Sequence, residues 1–418
     1  MRRSLRILCS SLLWGLGLFL LSGCALYAGR IRQPRADFQA GRYEQAIAKL
    51  KEYADKKDND ELLYLMELGT VQHTAGKYKD AISTFLRADK MAEIKDYTSI
   101  AAEAGSVLLN DEVKAYKGED FEKVMINMYL AIDYTLLGDY ENALVEARRV
   151  NRKLDRMITE GKRPYQNNGF AKYLAAALFE ARQEQNDAFV DYRQLLKWEV
   201  PGAMPYLGVP LLRLAEKMGA TQEYEAYRKR FPDVKDYALG PKEGEIVLLL
   251  EQGKAPYKVP SPQFRLAPVF HKNNYATRAG RIGIDGSATK VTTSALYDVE
   301  ATAIKELDGK LAGIIAKKVA GIAAKEAAAY AAEKASDSKT VGFFTSLFLH
   351  ASDTADLRSW TTLPATLQIA RFKVPAGQYA LSLDMVMNSG GTITGAKRWP
   401  KVDVKPRQIV FLNYRNTD

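Results

Sequence analysis

Gly76-Lys-Tyr-Lys-Asp-Ala81 decides the fold of the first half of this chain, because the same pattern returns along it. It recurs as Gly41-Arg-Tyr-Glu-Gln-Ala46, as Gly138-Asp-Tyr-Glu-Asn-Ala143 and, in a worn form, as Gln183-Glu-Gln-Asn-Asp-Ala188. The glycine suits a tight turn between two antiparallel helices, where a side chain would block the crossing, and the alanine lets the helices approach closely. The repetition therefore predicts helix pairs that stack side by side.

The repeated pattern resembles the tetratricopeptide repeat (TPR), which has a period of about 34 residues. Gly41 and Gly76 are 35 residues apart, close to that period. The longer gap of 62 residues before Gly138 predicts an extra, degenerate helix pair at roughly 96–123. The resemblance implies a TPR-like α-solenoid over residues 24–232, with a concave inner face.

The first helix of each predicted pair presents one face to the inside of the solenoid. On the repeat alignment these residues are Leu63, Met66, Thr70 and His73, then Met125, Met128, Ile132 and Thr135, then Phe170, Tyr173, Ala177 and Glu180. The face is apolar, bears methionines and carries few charges, and methionine adapts to varied ligands. We expect a groove that binds an apolar helix or extended segment of a protein partner. The alternative is that a neighbouring helix of the same chain fills it.

The second half reads as a smaller β-rich domain at 244–418, after a linker at 233–243. Short apolar or alternating runs predict strands at 245–250, 281–286, 290–293, 367–374, 380–387, 402–404 and 409–414. We expect a small antiparallel sheet or sandwich with a long alanine-rich helix, at about 297–335, inserted between its early and late strands. With the solenoid, this makes an α+β fold.

Two apolar segments of the second half leave more than one interpretation open. In the long helix, alanines recur every four residues from Ala312 to Ala332, while internal lysines argue against a membrane span. The helix either packs across the domain core or docks on a partner or a membrane surface. Val341-Gly-Phe-Phe-Thr-Ser-Leu-Phe-Leu349 is too short to cross a bilayer, so it is either buried or an exposed patch that contacts lipid or protein.

The first residues predict the compartment. A basic start, Met1-Arg-Arg-Ser-Leu-Arg6, precedes an apolar run from Ile7 to Leu21 of the length of a secretory signal core. The run ends in Leu21-Ser-Gly-Cys24, which resembles the bacterial lipoprotein box. The resemblance implies a signal peptide at 1–23, lipid on Cys24 and, because Ala25 follows, retention at the outer membrane with the protein facing the periplasm. The alternative is an ordinary signal peptide with a chance cysteine.

Composition and motifs exclude several classes of function. The chain has 418 residues but only two cysteines and three histidines, which rules out a disulfide scaffold, a zinc ribbon and an iron–sulfur site. The net charge of +10 would fall to +7 without residues 1–23, which hold three arginines. That mild excess, without a nucleic-acid motif, does not indicate a nucleic-acid partner. No catalytic motif is present, so we predict no catalytic residue, no metal site and no cofactor.

The densest polar–aromatic cluster of the second half is Asp356-Leu-Arg358-Ser-Trp360. We interpret it as a structural arginine pair stacked on the tryptophan, or else as a recognition corner. The acidic pair Glu119-Asp120 is best explained by helix capping at 119–122.

Two segments carry a closer resemblance. They are the stretch from Glu119 to Asn151 and the stretch Asp356-Leu-Arg-Ser-Trp-Thr-Thr-Leu-Pro-Ala-Thr-Leu-Gln-Ile-Ala-Arg371, which resemble a family of proteobacterial TPR outer-membrane lipoproteins. This implies a lipid-anchored periplasmic scaffold, a TPR adaptor for protein partners in cell-envelope or surface-structure assembly, and not an enzyme. The alternative is a cell-wall glycan-binding or cell-wall-modifying protein acting through its C-terminal domain. The oligomeric state stays open.

Overall fold

The computed structural model describes residues 26–102, 115–159, 167–350 and 354–418. The expected signal peptide and the lipid acceptor Cys24 lie outside the described residues. Residues 103–114, the middle of the extra helix pair expected at 96–123, also lie outside them; the described chain continues one helix to Ala102 and starts the next at Asp120.

The first half is built of antiparallel helix pairs. Its helices are α1 (Leu26–Gln39), α2 (Tyr43–Ala54), α3 (Glu61–Thr74), α4 (Tyr78–Ala102), α5 (Asp120–Leu136), α6 (Tyr140–Thr159), α7 (Gly169–Ala181), α8 (Gln185–Lys197), α9 (Met204–Lys217) and α10 (Thr221–Arg230). The expected capping at 119–122 is confirmed: the Glu119 backbone N–H donates to Glu122 Oε2 over 2.8 Å at the start of α5.

The repeat glycines are needed for the backbone conformation of the turns, and not for the close approach of the two helices. Gly41, Gly76 and Gly138 have φ of +72°, +76° and +78°, in the left-handed region that favours glycine. A Cβ on any of them would meet no atom within 4 Å, so the expected steric block is wrong at these positions. In the worn copy Gln183 takes φ +63° without being glycine. The repeat alanines do allow close approach, because Ala46, Ala81, Ala143 and Ala188 are fully buried.

Within the described residues, the second half contains two four-stranded sheets and a two-stranded one. The strands are β1 (Glu243–Gln252), β2 (Tyr257–Pro260), β3 (Pro268–His271), β4 (Thr277–Ile284), β5 (Val291–Thr292), β6 (Ser294–Asp298), β7 (Thr366–Pro375), β8 (Gly377–Met387), β9 (Thr392–Val404) and β10 (Ile409–Asn416). The sheet orders are β10-β1-β7-β6, β5-β4-β8-β9 and β2-β3. The expectation of purely antiparallel pairing is wrong, since β1 and β10 run parallel from Glu245 opposite Ile409.

The inserted helix is α11 (Val299–Ser336), which lies between β6 and β7 in the chain and spans about 57 Å. It turns at Asp337, which has φ +49°, into α12 (Lys339–His350). Only the first part of α11 is consistently buried, including Val299, Ala303 and Leu307. The interpretation of α11 as a core helix along its whole length is therefore wrong. None of the helices in the described ranges is long and apolar enough to cross a membrane.

The helical half and the sheets share one hydrophobic core. Leu63, Met128 and Tyr173 from the helices belong to the same buried cluster as Leu248 of β1 and Trp360 of the segment before β7. The inner face of the helix pairs therefore packs on the C-terminal half of the same chain.

Candidate functional site

The inner face of α3, α5 and α7 is the site that the sequence nominates for partner binding. Its predicted residues are Leu63, Met66, Thr70, His73, Met125, Met128, Ile132, Phe170 and Tyr173, and each is at most 1% exposed. The prediction of an open groove is therefore wrong for these residues. The alternative expectation is that a neighbouring helix of the same chain fills the groove. The same chain does cover this face, but with strands and a loop: β1, β7, β10 and the segment before β7.

His73 is at the centre of a buried cluster between the two halves. Its Nδ1 lies 2.5 Å from Asp133 Oδ1 on α5, and its Nε2 lies 2.6 Å from Glu251 Oε1 on β1. The Tyr129 hydroxyl donates to the other oxygen of Glu251 over 2.8 Å, and the Asn413 amide of β10 donates to Oε1 over 3.1 Å. One imidazole thus joins two helices to two strands.

The charge of this cluster follows from its carboxylates. Burial disfavours a charged imidazole, but Glu251 and Asp133 outweigh it and raise the pKa of His73 to about 10. Burial raises the pKa of Asp133 to about 6 despite the His73 charge beside it. The pKa of Glu251 is lowered, because His73 and Arg415 outweigh its burial. At neutral pH both ring nitrogens of His73 therefore donate, and the cluster holds an imidazolium between carboxylates.

The side chain of Trp360 lies buried between the helices of the first half. Its indole N–H donates to Thr70 Oγ1 over 3.0 Å, and its backbone N–H donates to Glu122 Oε1 over 2.7 Å. The indole packs on the rings of Phe85 and Tyr129, with centroids 5.9 and 5.7 Å away. This side chain fills the space that the sequence assigns to an apolar ligand.

The segment that carries Trp360 is also held by α3. Glu67 Oε1 accepts hydrogen bonds from the backbone N–H and the hydroxyl of Thr361, over 2.9 and 2.8 Å. Its Oε2 accepts from the Thr362 backbone N–H over 3.2 Å. The buried carboxylate of Glu67 thus finds hydrogen-bond donors in the second half of the chain.

Arg358 forms a structural corner of a different kind from the predicted one. Its guanidinium donates to Asp356 over 2.9 and 2.7 Å and to Asp60, at the start of α3, over 2.8 Å. It lies 5.2 Å above the ring of Tyr116, so the predicted stacking on Trp360 is wrong. The recognition-corner alternative is also wrong, since Arg358 and Trp360 are both buried.

A second ion cluster joins α7 to the sheet. Arg371 of β7 donates to Glu180 Oε2 over 2.8 Å, to both oxygens of Glu245 over 3.1 and 2.5 Å, and to the Tyr192 hydroxyl over 2.7 Å. Arg213 of α9 donates to Glu180 and, over 2.9 Å, to Glu245. Burial opposes the charge of Glu180, but Arg371 and Arg213 outweigh it and lower its pKa to about 2.

Sequence reasoning missed most of the polar residues at this interface. The missed residues are Glu67, Glu122, Tyr129, Asp133, Arg213, Glu245, Glu251, Arg371 and Asn413. One signal was available: several are charges within apolar helix or strand runs, and a buried charge needs a buried partner. Each run contains only one half of a pair, so the sequence does not identify which charges meet.

A cavity of about 1060 Å³ lies beside the repeat helices rather than on their inner face. Its lining includes Asp155 of α6, Lys172 of α7, Trp198 after α8, and Tyr297 and Asp298 of β6. Lys172 Nζ lies 5.7 Å from the centre of the Trp198 ring. An aromatic ring beside carboxylates and a lysine can contact a polar ligand such as a sugar.

No family model matches the chain, and no curated protein matches it. Among solved structures it is similar to MamA of strain AMB-1, with 16% identity, a TM-score of 0.31, and 49% of this chain and 90% of that one covered. A tetratricopeptide repeat protein from Parabacteroides merdae has 18% identity, a TM-score of 0.33, and coverages of 50% and 68%. MamA from Desulfovibrio magneticus RS-1 has 13% identity, a TM-score of 0.32, and coverages of 50% and 92%. At such TM-scores the likeness is distant and partial.

Proposed function

We propose that this protein is a lipid-anchored scaffold of the cell envelope that binds protein partners on its outer surfaces. The observation that carries the proposal is the filled inner face: His73, Trp360 and Arg371 tie it to the C-terminal half of the same chain. A partner would then bind the exposed faces of the helix pairs, while the C-terminal half stabilises the helix pairs from their inner side.

The start of the described chain supports a short tether to lipid. Leu26 begins α1 only two residues after Cys24, and the Tyr27 hydroxyl lies 3.4 Å from Glu67 Oε1 and from the Ser359 carbonyl oxygen. Acyl chains on Cys24 would therefore hold the folded body directly at the membrane, and several chains on one residue anchor firmly.

The outer face of the repeats offers equivalent positions to a partner. Val145 and Val190 each follow a repeat alanine by two residues, on α6 and α8, and both are exposed. Exposed apolar side chains on successive second helices give a partner a periodic contact surface.

Lipid attachment is tested by metabolic labelling of the full chain with an alkyne fatty acid. We expect label on the wild type and none on Cys24→Ala. Equal label on both variants would contradict attachment at Cys24.

Partner binding is tested by a photo-crosslinking amino acid placed at Val145 or Val190 in cells. We expect a discrete protein adduct at these positions that weakens in the Cys24→Ala background. The matched control is Ile284, an exposed apolar residue of β4. Adducts at Ile284 alone would move the partner surface to the C-terminal half and contradict the proposal.

The cavity beside Trp198 supports glycan binding as a second candidate function. Sugars stack on aromatic rings and hydrogen-bond to carboxylates, and Trp198, Asp155 and Asp298 provide both groups. Calorimetry with soluble cell-wall fragments should then give binding that Trp198→Ala abolishes and Trp399→Ala, on β9, leaves unchanged. Equal heats for both variants would remove this candidate.

A further inference from the structure

The pair α11–α12 extends from the body as a helical hairpin. Its base is fixed because the Glu306 carboxylate accepts hydrogen bonds from the backbone N–H groups of Asp120 and Phe121, over 2.9 Å each, at the start of α5. Beyond that base the two helices pack mainly on each other. A Cβ on Gly342 would lie 2.7 Å from the Cβ of Glu333, which shows how closely they meet.

The hairpin exposes an unusual amount of apolar side chain to water. Its exposed large apolar residues are Val319, Tyr330, Val341, Phe343, Phe344 and Leu347, and their exposed fractions run from 41% at Val341 to 64% at Phe343. Single exposed apolar residues are ordinary on protein surfaces. Six of them within one hairpin, including two adjacent phenylalanines, form a patch that indicates a binding surface.

The apolar side chains lie on both outer sides of the hairpin. On α12, Gly342 faces α11, so helical geometry turns Phe343, Phe344 and Leu347 away from it. On α11, Lys325 and Ala329 are buried, and Tyr330 lies on the exposed side with a row of alanines. A helical unit that is apolar on opposite sides suits an environment that surrounds it, rather than a single groove.

The charges beside these faces favour a phospholipid surface as that environment. Residues 311–350 hold five lysines and three acidic residues, and Lys317, Lys334 and Lys339 are exposed. Long lysine side chains can place their stems along apolar surface and their ammonium groups at anionic headgroups. Tyr330, with Lys334 5.4 Å from its ring centre, is typical of the membrane–water interface.

The position of the hairpin adds an independent argument. Lys318, near the middle of α11, donates to the Thr354 carbonyl oxygen over 3.1 Å, and Tyr27 at the start of α1 contacts the Ser359 carbonyl oxygen. Five residues of chain separate Thr354 from Ser359, which is at most about 18 Å. From Lys318 to Ser336, α11 extends about 27 Å further. The middle of α11 and the start of α1 are thus both held at the 354–359 segment, so a bilayer that holds Cys24 would lie close to this part of the hairpin.

We propose that the α11–α12 hairpin inserts its exposed apolar faces into the headgroup and upper acyl region of an anionic phospholipid bilayer. The inference deepens the proposed function, on which it rests for the presence of the bilayer. Acyl chains and hairpin would form two attachment points, which fix how the body is oriented on the membrane.

The test uses the full chain with Phe344→Cys in a Cys9→Ser and Cys24→Ser background, so that an environment-sensitive fluorophore attaches to a single thiol. The probe membrane is a vesicle of phosphatidylethanolamine and phosphatidylglycerol, with and without brominated acyl chains. We expect a blue-shifted emission that brominated lipid quenches. Val190→Cys with the same fluorophore is the matched control, because Val190 is exposed but lies on α8, and it should stay unquenched. Phe343→Ser should weaken insertion roughly tenfold or more, since one buried phenylalanine contributes that much to partition.

The outcomes separate the inference from the proposed function. Quenching at Phe344→Cys supports insertion, whether or not fatty-acid labelling finds lipid on Cys24. Vesicle flotation of the acylated chain without quenching overturns the inference and leaves lipid anchoring intact. A blue shift that depends on protein concentration without lipid also overturns it and assigns the patch to a second copy of this chain.

Discussion

His73 makes two charge-assisted hydrogen bonds, one within the helical half to Asp133 and one across to Glu251 of β1. Such bonds are stronger than neutral ones, but their partners have been removed from water at a large cost. The cluster therefore contributes less as a source of net stability than as a constraint on which surfaces can meet. A substitution that leaves Asp133 or Glu251 buried without a partner therefore lowers the stability of the fold, because the desolvation cost is no longer compensated.

We predict that His73→Ala lowers the free energy of unfolding by about 3–5 kcal/mol, because it leaves two buried carboxyl groups without their shared cation. Urea denaturation followed by circular dichroism measures the change. The matched control is His271→Ala, an exposed histidine of β3, which should change stability by less than about 0.5 kcal/mol. Equal effects of both substitutions would show that the His73 cluster contributes nothing specific.

The pKa of Glu180 predicts an acid-dependent loss of stability. Its folded pKa of about 2 lies below its ordinary value of 4.5, so its contribution is fully present above pH 4.5 and is lost as the pH falls toward 2. Glu180→Gln should be less stable than the wild type at neutral pH, and the difference should shrink across that window. Urea midpoints at a series of pH values test this, and a constant difference would argue against the ion cluster with Arg371.

At the level of single elements, the repeat turns show which structural features a short stretch of sequence can predict. The glycine positions and the helix pairs follow from a pattern of six residues, because a left-handed turn and a close helix contact are local requirements. The inner face was less accessible to prediction. Periodicity identifies Met66 and Met128 as residues that need cover, but the covering element is more than a hundred residues further along the chain.

The strands of the second half also include some that the local sequence predicts and some that it does not. The sequence predicts most of β1, which has an uninterrupted apolar run, and most of β7, where apolar residues recur between Gln368, Arg371 and Lys373. It predicts only residues 402–404 of β9, because the earlier part of that strand is exposed and contains Gly395 with φ +68°. The parallel pairing of β1 with β10 is not predicted, since nothing local in either strand selects its neighbour.

The turn geometry predicts opposite effects at two equivalent positions. Gly76→Ala should destabilise by about 1–2 kcal/mol, because a side chain disfavours φ near +76° even in open space. Gln183→Gly should stabilise by up to about 1 kcal/mol, because it relieves the same strain at φ +63°. Thermal unfolding of both variants checks this, with Gly29→Ala within α1 as a helical control that should gain slight stability. Loss of stability in Gln183→Gly would show that the turn is not strained.

At the scale of the whole molecule, the described parts of the helical and β-rich halves share a hydrophobic core and the buried ion clusters around His73, Arg358 and Arg371. Two parts of a chain with a common core are expected to unfold together. The solenoid and the C-terminal domain that the sequence suggests as separate units are therefore mutually dependent.

We predict that Trp360→Ala destabilises both halves at once, by about 3–5 kcal/mol, because it empties the largest fully buried side-chain site. Helix content by circular dichroism and near-ultraviolet tyrosine signals should report the same midpoint in the wild type and in the variant. The control is Trp399→Ala on the edge strand β9, which should cost less. Separate transitions for the two probes would contradict the shared core.

The placement of β10 has a consequence for the order of events during biosynthesis. Asn413 and Arg415 belong to the last strand, and the Arg415 guanidinium donates to the carbonyl oxygens of Gly253, Thr362 and Leu363. The helix pairs leave the ribosome long before these residues do. While the chain is being made, the methionine-bearing inner face of the helix pairs is therefore uncovered, and it stays accessible to chaperones until the final strand arrives and completes the core.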